Sequence, residues 1–278
     1  MEKKRIKLIQ RLTELVHDGL CVAFSGGVDS ALLLKLCTMV GGGRVVAVTM
    51  QTQLAPDDDL EWAGRLAAEM HVERHVLTMD ALSIPQVRGN DRQRCYHCKK
   101  ALFADLLAFA RANGLRHVAD GTNADDLEVY RPGRKALKEL GVVSPLAQSG
   151  MTKAEIRAWA RALGLSVSDR PASPCLATRL PYGCELTPER LNIIRQGERI
   201  LHEYGFAVCR LRLHGDMARI EIERAQTERF LQNAGAIAEK LKALGLLYVT
   251  LDMEFFRSGR MDISVMEENA VGGVKHGH

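Results

Sequence analysis

The sequence predicts an α/β fold, a doubly wound parallel sheet followed by a smaller C-terminal α+β domain. Three observations support this prediction. Over residues 4–120, short apolar runs alternate with helical segments, the pattern of a parallel sheet with helices on both faces. A segment rich in Gly and Ser, residues 25–30, lies between the first apolar run and the next helix. After about residue 150 the alternation ends, and a proline-rich loop leads into a mixed series of helices and strands.

The elements of the first part follow one another in regular order. Apolar residues at helical spacing predict a helix over residues 4–19, and the apolar run at residues 19–24 predicts a buried strand. The further predicted strands lie at residues 44–50, 75–77 and 117–120, and the further predicted helices at 31–40, 57–70 and 96–113. Because such sheets bind ligands beyond the carboxyl ends of their strands, we expect the functional residues there.

The second part begins with a helix and a loop. Thr152, followed by Glu155, predicts a capping box that starts a helix over residues 152–164. Residues 166–186 hold four Pro or Gly residues and two Cys residues, and we predict an active-site loop there. Beyond this loop we predict helices at 187–204 and 226–244 and strands at 208–213, 218–222 and 247–251. The predicted division is therefore a first domain over 1–165, the loop over 166–186, a substrate or oligomerisation domain over 187–270, and a tail over 271–278.

Composition excludes several classes of protein. With 46% hydrophobic and 26% charged residues, the 278-residue chain is predicted to be globular rather than disordered. No apolar run approaches the roughly 18 residues of a membrane helix, and no apolar segment follows the basic start, so we expect a cytoplasmic protein without a membrane partner. A net charge of +4 and 5% aromatic residues do not indicate a nucleic-acid partner. Seven cysteines, an odd number, favour thiols or metal ligands over a disulfide framework.

Residues 25–30, Ser-Gly-Gly-Val-Asp-Ser, predict a phosphate-binding loop. Gly26 and Gly27 allow a tight turn and a close approach to a ligand. Ser25, Ser30 and the backbone N–H groups at the helix start can surround an anion. The Gly-Lys-Ser/Thr of the Walker loop is missing from this segment. The segment resembles the PP-loop of ATP pyrophosphatases, Ser-Gly-Gly-x-Asp-Ser, which implies that ATP is split at its α-phosphate into AMP and pyrophosphate.

Three cysteines are candidates for sulfur or metal chemistry. Cys95 and Cys98 form a C-x-x-C motif, which is typical of a redox pair or half a metal site and also occurs without function. Cys175 lies in the predicted active-site loop. Three thiolates and an open fourth position suit an iron–sulfur cluster with one exchangeable iron. The other cysteines are predicted to be structural or have no clear partner, namely Cys21, Cys37, Cys209 and Cys184.

Further blocks follow the phosphate loop in order along nearly the whole chain. They lie at residues 94–99 (Arg-Cys-Tyr-His-Cys-Lys), 120–126 (Asp-Gly-Thr-Asn-Ala-Asp-Asp), 131–133, 144–146, 152–157, 174–179 and 210–214. With these blocks, the chain resembles one PP-loop family, the LarE-type ATP-dependent sulfur transferases. Members of that family make the nickel-pincer nucleotide cofactor of lactate racemase.

The resemblance implies a reaction. A carboxylate of pyridinium-3,5-biscarboxylic acid mononucleotide is adenylated, and a sulfur nucleophile then displaces AMP to leave a thiocarboxylate. In one branch of the family, a cysteine at the position of Cys175 gives up its own sulfur and becomes dehydroalanine. Another branch has three cysteines and is thought to use a [4Fe–4S] cluster that carries an extra sulfide. Because Cys95, Cys98 and Cys175 are all present, we expect the three-cysteine branch, with these residues as catalytic residues and cluster ligands.

The resemblance also implies ATP and Mg²⁺ as cofactors. A carboxylate beside a triphosphate needs a bridging cation, so Asp29 is expected to hold Mg²⁺ or to orient the loop. Asp120 and the residues after it face the predicted nucleotide crevice, and their alternative role is turn capping. The predicted nucleotide-binding residues are Ser25, Gly26, Gly27, Asp29, Ser30, Met50, Gly121, Asn123 and Asp126.

Three arginines are predicted to bind the phosphate of the substrate, because arginine matches phosphate geometry. They are Arg179, Arg210 and Arg212. By the two-residue period of a strand, Arg210 and Arg212 share one face, and the alternative is a solvated strand face. Glu221 and Glu223 are interpreted in the same way, as sharing a strand face that could bind a cation.

Three other functions remain open at this point. A tRNA thiolase also combines a PP-loop with cysteine or cluster chemistry. A PP-loop amidotransferase, such as an NAD or GMP synthetase, would leave the three cysteines unexplained. A non-catalytic nucleotide sensor would not release pyrophosphate. For the favoured function, the expected partners are the small nucleotide substrate, a sulfide donor and further copies of the chain.

Overall fold

The computed structural model describes residues 2–127, 132–171 and 173–257. The chain folds as two units, residues 1–174 and 175–278. The division falls inside the predicted active-site loop, directly before Cys175. Arg131 and the predicted tail lie outside the described residues.

The first unit is built on four parallel strands, β1 (Leu20–Ala23), β2 (Val45–Gln51), β3 (Arg74–Thr78) and β4 (His117–Ala119). Their order in the sheet is β3-β2-β1-β4, so the order reverses at β1. This confirms the predicted doubly wound α/β class. In such sheets a crevice opens beyond the carboxyl ends of the two strands at the reversal, here β1 and β4.

Eight helices belong to the described part of this unit. They are α1 (Glu2–His17), α2 (Val28–Val40), α3 (Asp57–Glu69), α4 (Pro85–Arg88), α5 (Arg94–Ala112), α6 (Gly133–Glu139), α7 (Pro145–Gln148) and α8 (Lys153–Ala162). β1 alternates between two apolar cores, as a strand buried on both faces does. Leu20 and Val22 pack with α1, α2 and α8, whereas Cys21 and Ala23 pack with α5.

The predicted long elements are confirmed, with shifts of a few residues at their ends. The main difference is at α2, which begins at Val28 rather than Ala31, directly after the glycines of the phosphate loop. The predicted capping box of α8 is present, with Thr152 and Glu155 bonding each other's backbone N–H groups. The predicted loop over 166–186 contains two short 3₁₀ turns, Ser166–Asp169 and Leu176–Arg179.

The second unit packs two helices with a three-stranded sheet. Its elements are α9 (Pro188–Glu203), β5 (Cys209–His214), β6 (Met217–Ile222), α10 (Thr227–Lys242) and β7 (Tyr248–Leu251). β6 is the central strand, antiparallel to β5 and parallel to β7. Across all the residues that the structure describes, we find no helix with the length and apolar character needed to cross a membrane.

Candidate active site

The phosphate loop lies at the carboxyl end of β1 and leads into α2. The hydroxyls of Ser25 and Ser30 are 3.2 Å apart, and Ser30 donates to the carbonyl of Gly27 at 3.0 Å. Gly27 precedes α2 and has no side chain with which to cap it. The first N–H groups of α2 therefore point outward at the positive end of the helix dipole, which favours an anion.

Two glycines allow other elements to pack directly against this loop. Gly26 has a φ of +73°, and a Cβ there would lie 3.1 Å from the Cβ of Ala63 on α3. A Cβ at Gly121, after β4, would lie 2.9 Å from the backbone nitrogen of Ser30. Any side chain at Gly121 would therefore displace the loop or the end of β4.

Asp29, in the first turn of α2, has two side-chain partners from distant parts of the first unit. Lys153 forms an ion pair with one carboxylate oxygen, and the amide of Asn123 donates to the other at 3.3 Å. The backbone N–H of Lys153 donates to Asp125 at 2.8 Å. Sequence reasoning missed Lys153. Its signals are its place in the block at residues 152–157 and a cation at the first position of a helix, where the dipole disfavours positive charge.

The residues after β4 cap a turn and also contact the phosphate loop. The backbone N–H of Asp126 donates to the Asn123 side chain, and the backbone N–H of Asn123 donates to the Asp126 carboxylate, both at 3.2 Å. Asp120 is buried and accepts hydrogen bonds from Thr122 and Ser144. The turn-capping interpretation is therefore confirmed for Asn123 and Asp126, while the Asn123 amide also reaches Asp29.

A cavity of about 280 Å³ opens at the carboxyl ends of β1, β2 and β4. It is lined by Ala23, Phe24, Ser25, Gly27, Asp29, Ser30, Met50, Lys99, Phe103, Asp120, Gly121, Thr122, Asp126 and Arg134. The structure thus brings together most of the predicted nucleotide-binding residues. Of the other two, Asn123 contacts Asp29 in the lining, and Gly26 lies between the lining residues Ser25 and Gly27. Lys99 and Arg134 were not predicted as site residues, and they add two cations to the lining.

The C-x-x-C motif lies at the start of the helix that forms one wall of this cavity. Cys95, Lys99 and Phe103 are spaced four residues apart on α5 and so share one face of the helix. Lys99 and Phe103 line the cavity, and Cys95 lies one turn earlier. Gly133, at the start of α6, packs on this face, because a Cβ there would come within 2.7 Å of the Lys99 side chain.

The cysteines divide by exposure as predicted. Cys95 and Cys175 are exposed, and Cys98 and Cys184 are half-buried. Cys21, Cys37 and Cys209 are buried, and burial raises the pKa of each of these thiols to about 12, which keeps them protonated.

The candidate cluster ligands are divided between the two units. Cys95 and Cys98 belong to the first, and Cys175 begins the second. Two accessible thiols one helical turn apart suit two ligands of one cluster. Among residues 2–127, 132–171 and 173–257, no three His, Cys, Asp or Glu side chains are grouped closely enough to hold a metal ion. Convergence of the three thiols therefore stays a prediction.

The predicted substrate arginines all lie in the second unit, and Arg179 and Arg212 each bind a carboxylate. Arg179 is 2% exposed and binds Glu198 through two nitrogens, at 2.8 and 3.0 Å. Arg212 binds the fully buried Glu221 in the same manner, at 2.5 and 3.0 Å. The solvated-face alternative is therefore wrong for Arg212, which is buried.

Thr178 joins these arginines to Cys175. The Thr178 hydroxyl and Arg179 Nη1 both donate to the carbonyl of Cys175, at 2.8 and 3.3 Å. Arg212 donates to the carbonyl of Thr178 at 2.8 Å. Arg210 lies over the ring of Phe256, and burial, followed by the charge of Arg179, lowers the pKa of its guanidinium.

The acidic pair predicted on β6 separates. Glu221 is buried with Arg212, and it also accepts a longer contact of 3.4 Å from Arg219. Glu223 lies just beyond the end of β6 and is exposed. The interpretation of the two residues as a cation site stays a prediction.

A parallel sheet with a Ser-Gly-Gly-x-Asp-Ser loop at its reversal point defines an ATP-using enzyme of the PP-loop ATP pyrophosphatase class. In agreement, a family model described as NAD synthase matches residues 2–113. Over nearly its whole length the chain belongs to a particular family of that class, the LarE-type family. It is 36% identical, over 260 residues, to the pyridinium-3,5-bisthiocarboxylic acid mononucleotide synthase of Lactiplantibacillus plantarum, covering 93% of this chain and 94% of that protein.

Two other relatives show how far the similarity extends. An uncharacterized protein of Synechocystis sp. is 38% identical over 264 residues, covering 94% of this chain and 98% of that protein. One subunit of the glutamine-hydrolyzing GMP synthase of Thermoplasma acidophilum is 27% identical over 208 residues, covering 69% of this chain and 66% of that protein. The similarity to the amidotransferase is thus lower and shorter than the similarity to the sulfur-containing-nucleotide synthase.

Proposed function

We propose that this chain is an ATP-dependent sulfur transferase acting on pyridinium-3,5-biscarboxylic acid mononucleotide. One observation carries the proposal: the relative named for the bisthiocarboxylic product aligns over nearly all of both chains. The site agrees with it, because Cys95 lies one helical turn from Lys99 in the wall of the phosphate-loop cavity. An amidotransferase would have no use for thiols there.

The first step activates a carboxylate. A carboxylate oxygen of the substrate attacks the α-phosphorus of ATP, the bond to the β-phosphate bridging oxygen breaks, and pyrophosphate leaves with the electron pair. The N–H groups at the start of α2 and the hydroxyls of Ser25 and Ser30 bind the departing pyrophosphate. Asp29 would hold the Mg²⁺ that accompanies ATP, and Lys153 forms an ion pair with the same carboxylate.

The second step replaces oxygen with sulfur. A sulfur nucleophile attacks the carboxyl carbon, a C–S bond forms, and the C–O bond to AMP breaks, so AMP leaves with the electron pair. Cys95, Cys98 and Cys175 would hold a [4Fe–4S] cluster, which supplies a sulfide-binding iron when it is bound. Lys99 and Arg134, in the cavity lining, bind the negative charge of the phosphates during this step.

The substrate's own phosphate is assigned to the arginines of the second unit. Arg179 donates to the carbonyl of Cys175, and Arg212 donates to the carbonyl of Thr178, so both guanidinium groups lie close to the start of this unit. Binding a phosphate there would hold the mononucleotide next to the cysteine expected to take part in sulfur transfer. Assembly into a homo-oligomer, a sulfide donor and a cytoplasmic location are further parts of the proposal.

Anaerobic purification with iron and sulfide analysis tests the cluster. We expect a brown protein with about four irons per chain. Replacing any one of Cys95, Cys98 or Cys175 with Ala should remove both colour and sulfur transfer. The control is Cys184→Ala, because Cys184 is half-buried like Cys98, and this variant should keep both. A colourless protein that turns over once and leaves Cys175 lighter by the mass of H₂S would establish the sacrificial route instead.

A further inference from the structure

Helix α3 contacts the phosphate loop at one of its faces. Ala63 is fully buried against Gly26, whose positive φ brings the loop backbone close to the helix. Asp59 lies four residues before Ala63 and three before Trp62, so it neighbours both of them on one side of α3. This side of the helix is thus tied to the loop that binds the phosphates of ATP.

The same side of α3 holds the chain that leads to Cys175. Arg170 Nη2 donates to Asp59 Oδ1 at 2.9 Å, and its guanidinium lies 5.0 Å from the centre of the Trp62 ring. Arg157, from α8, donates to the backbone carbonyl of Arg170 at 3.2 Å. Both the side chain and the backbone of Arg170 are therefore held by helices of the first unit.

A second residue near Asp59 lies closer to the cysteine. Ser173 lies close to the same Asp59 carboxylate that pairs with Arg170. Cys175 follows Ser173 by two residues, so their Cα atoms are at most about 7 Å apart in a fully extended chain. The contacts of Arg170 with α3 therefore act on the segment of chain that leads directly to Cys175.

The Asp59–Arg170 ion pair is better suited to fixing the orientation of its two side chains than to stabilising the fold. The Asp59 and Arg170 side chains are only 21% and 24% exposed, and burial raises the pKa of the Asp59 carboxyl despite its cationic partner. A partly buried ion pair adds little net stability compared with apolar packing, but it fixes the geometry of its two partners. The planar Arg170 guanidinium against an indole ring restricts that geometry further.

We propose that Asp59 and Trp62 form an anchor that fixes the chain before Cys175 to α3, the helix packed against the phosphate loop, which makes Asp59 a positioning residue for sulfur transfer. The inference rests on the proposed function. Without the anchor, water competes for the acyl adenylate: its oxygen bonds to the carboxyl carbon, the bond to AMP breaks, and a proton goes to solvent. ATP is then converted to AMP and pyrophosphate while the carboxylate is regenerated.

The test compares Asp59→Asn with the matched control Asp169→Asn, in full-length protein handled anaerobically. Asp169 is adjacent to Arg170 and pairs with Arg161 on the surface, where the two side chains are 72% and 62% exposed. For Asp59→Asn we expect an unchanged KM for ATP and an unchanged rate of pyrophosphate release. Thiocarboxylate formed per pyrophosphate should fall roughly tenfold, because small displacements of a reacting group have effects of this size. Asp169→Asn should behave as the wild type does.

A second readout does not depend on the reaction. The rate at which iodoacetamide alkylates Cys175, measured by mass spectrometry relative to Cys184, should rise about threefold in Asp59→Asn and in Arg170→Gln, because the freed segment opens more often. If Cys175 is alkylated at the wild-type rate in Asp59→Asn, or if its rate rises equally in Asp169→Asn, the proposed anchor is contradicted. A wild-type protein that makes no thiocarboxylate would refute the proposed function alone, and the alkylation comparison would still decide the anchor.

Discussion

Single residues determine how closely other elements approach the phosphate loop, and Gly121 allows the closest approach. Gly121→Ala places a methyl group 2.9 Å from the Ser30 nitrogen, an overpacking worth roughly 1–3 kcal/mol. We expect pyrophosphate release to slow about tenfold, because the Ser30 N–H must move away from the phosphates. Steady-state pyrophosphate assays measure this effect.

The control for Gly121→Ala is Gly235→Ala, on α10. A Cβ at Gly235 would meet no atom of the described residues within 4 Å, so this change should raise stability slightly and leave catalysis unchanged. A Gly121→Ala enzyme as fast as Gly235→Ala would show that contact between β4 and the loop does not matter.

A second substitution tests the role of Asp29 in the cleavage of ATP. Asp29→Asn removes the charge that pairs with Lys153 and the proposed Mg²⁺ ligand. We expect release of pyrophosphate to slow by more than tenfold, about 1.4 kcal/mol or more of activation free energy. The control is Lys4→Met, which breaks the Lys4–Glu155 ion pair at the start of α8, the helix that begins with Lys153. An unchanged rate in Asp29→Asn would contradict the assignment.

The residues of the phosphate loop could be predicted because they are contiguous and each has a local physical reason. The contact of Lys153 with Asp29 could not be predicted, because the two residues are 124 positions apart and only the folded chain brings them together. Arg134 lines the cavity for a similar reason, from a short helix without a clear pattern. Sequence patterns identify functional residues that lie next to one another in the chain. They miss residues that reach the site only when the chain folds.

At the scale of elements, the pairing of β5 with β6 changes what a substitution of Arg212 means. Glu221 is fully buried, so Arg212→Ala leaves its carboxylate with only the longer contact to Arg219, and loss of such a buried partner costs about 3–5 kcal/mol. We expect a large fall in Tm, and recovery of most of it in the double variant Arg212→Met/Glu221→Leu. Differential scanning calorimetry measures both. A single variant as stable as the wild type would show that the pair is not structurally coupled.

Substrate binding has to be measured where the fold survives. In the Arg212→Met/Glu221→Leu variant, affinity for the mononucleotide should fall by ten- to a hundredfold, in line with roughly 1.5–3 kcal/mol for a charge-assisted hydrogen bond. Affinity for ATP should stay the same, since the phosphate loop belongs to the other unit. Wild-type affinity for the mononucleotide would remove Arg212 from the substrate site.

Long helices were predicted well and short helices were not. α1, α5, α9 and α10 extend over at least four turns, so their apolar period is visible in the sequence. The helices α4 and α7 are four residues long and begin at a proline, and no element was predicted at either position. These helices form through packing in the folded unit, and they are too short to show a helical period in the sequence.

At the scale of the whole molecule, the residues proposed for the two chemical steps are divided between the two units. The first holds the phosphate loop, the cavity, Cys95 and Cys98, and the second holds Cys175 and the arginines predicted to bind substrate. The central claim is that ATP activates a carboxylate whose oxygen is then exchanged for sulfur.

Oxygen-18 transfer tests this claim most directly. Mononucleotide labelled with oxygen-18 in its carboxylates is incubated anaerobically with the purified protein, Mg²⁺ and ATP, and the products are analysed by mass spectrometry. If the carboxylate oxygen attacks the α-phosphorus, each thiocarboxylate formed is matched by one AMP carrying a single labelled oxygen, with unlabelled pyrophosphate. Formation of ADP and phosphate, or of AMP without label, would contradict the account.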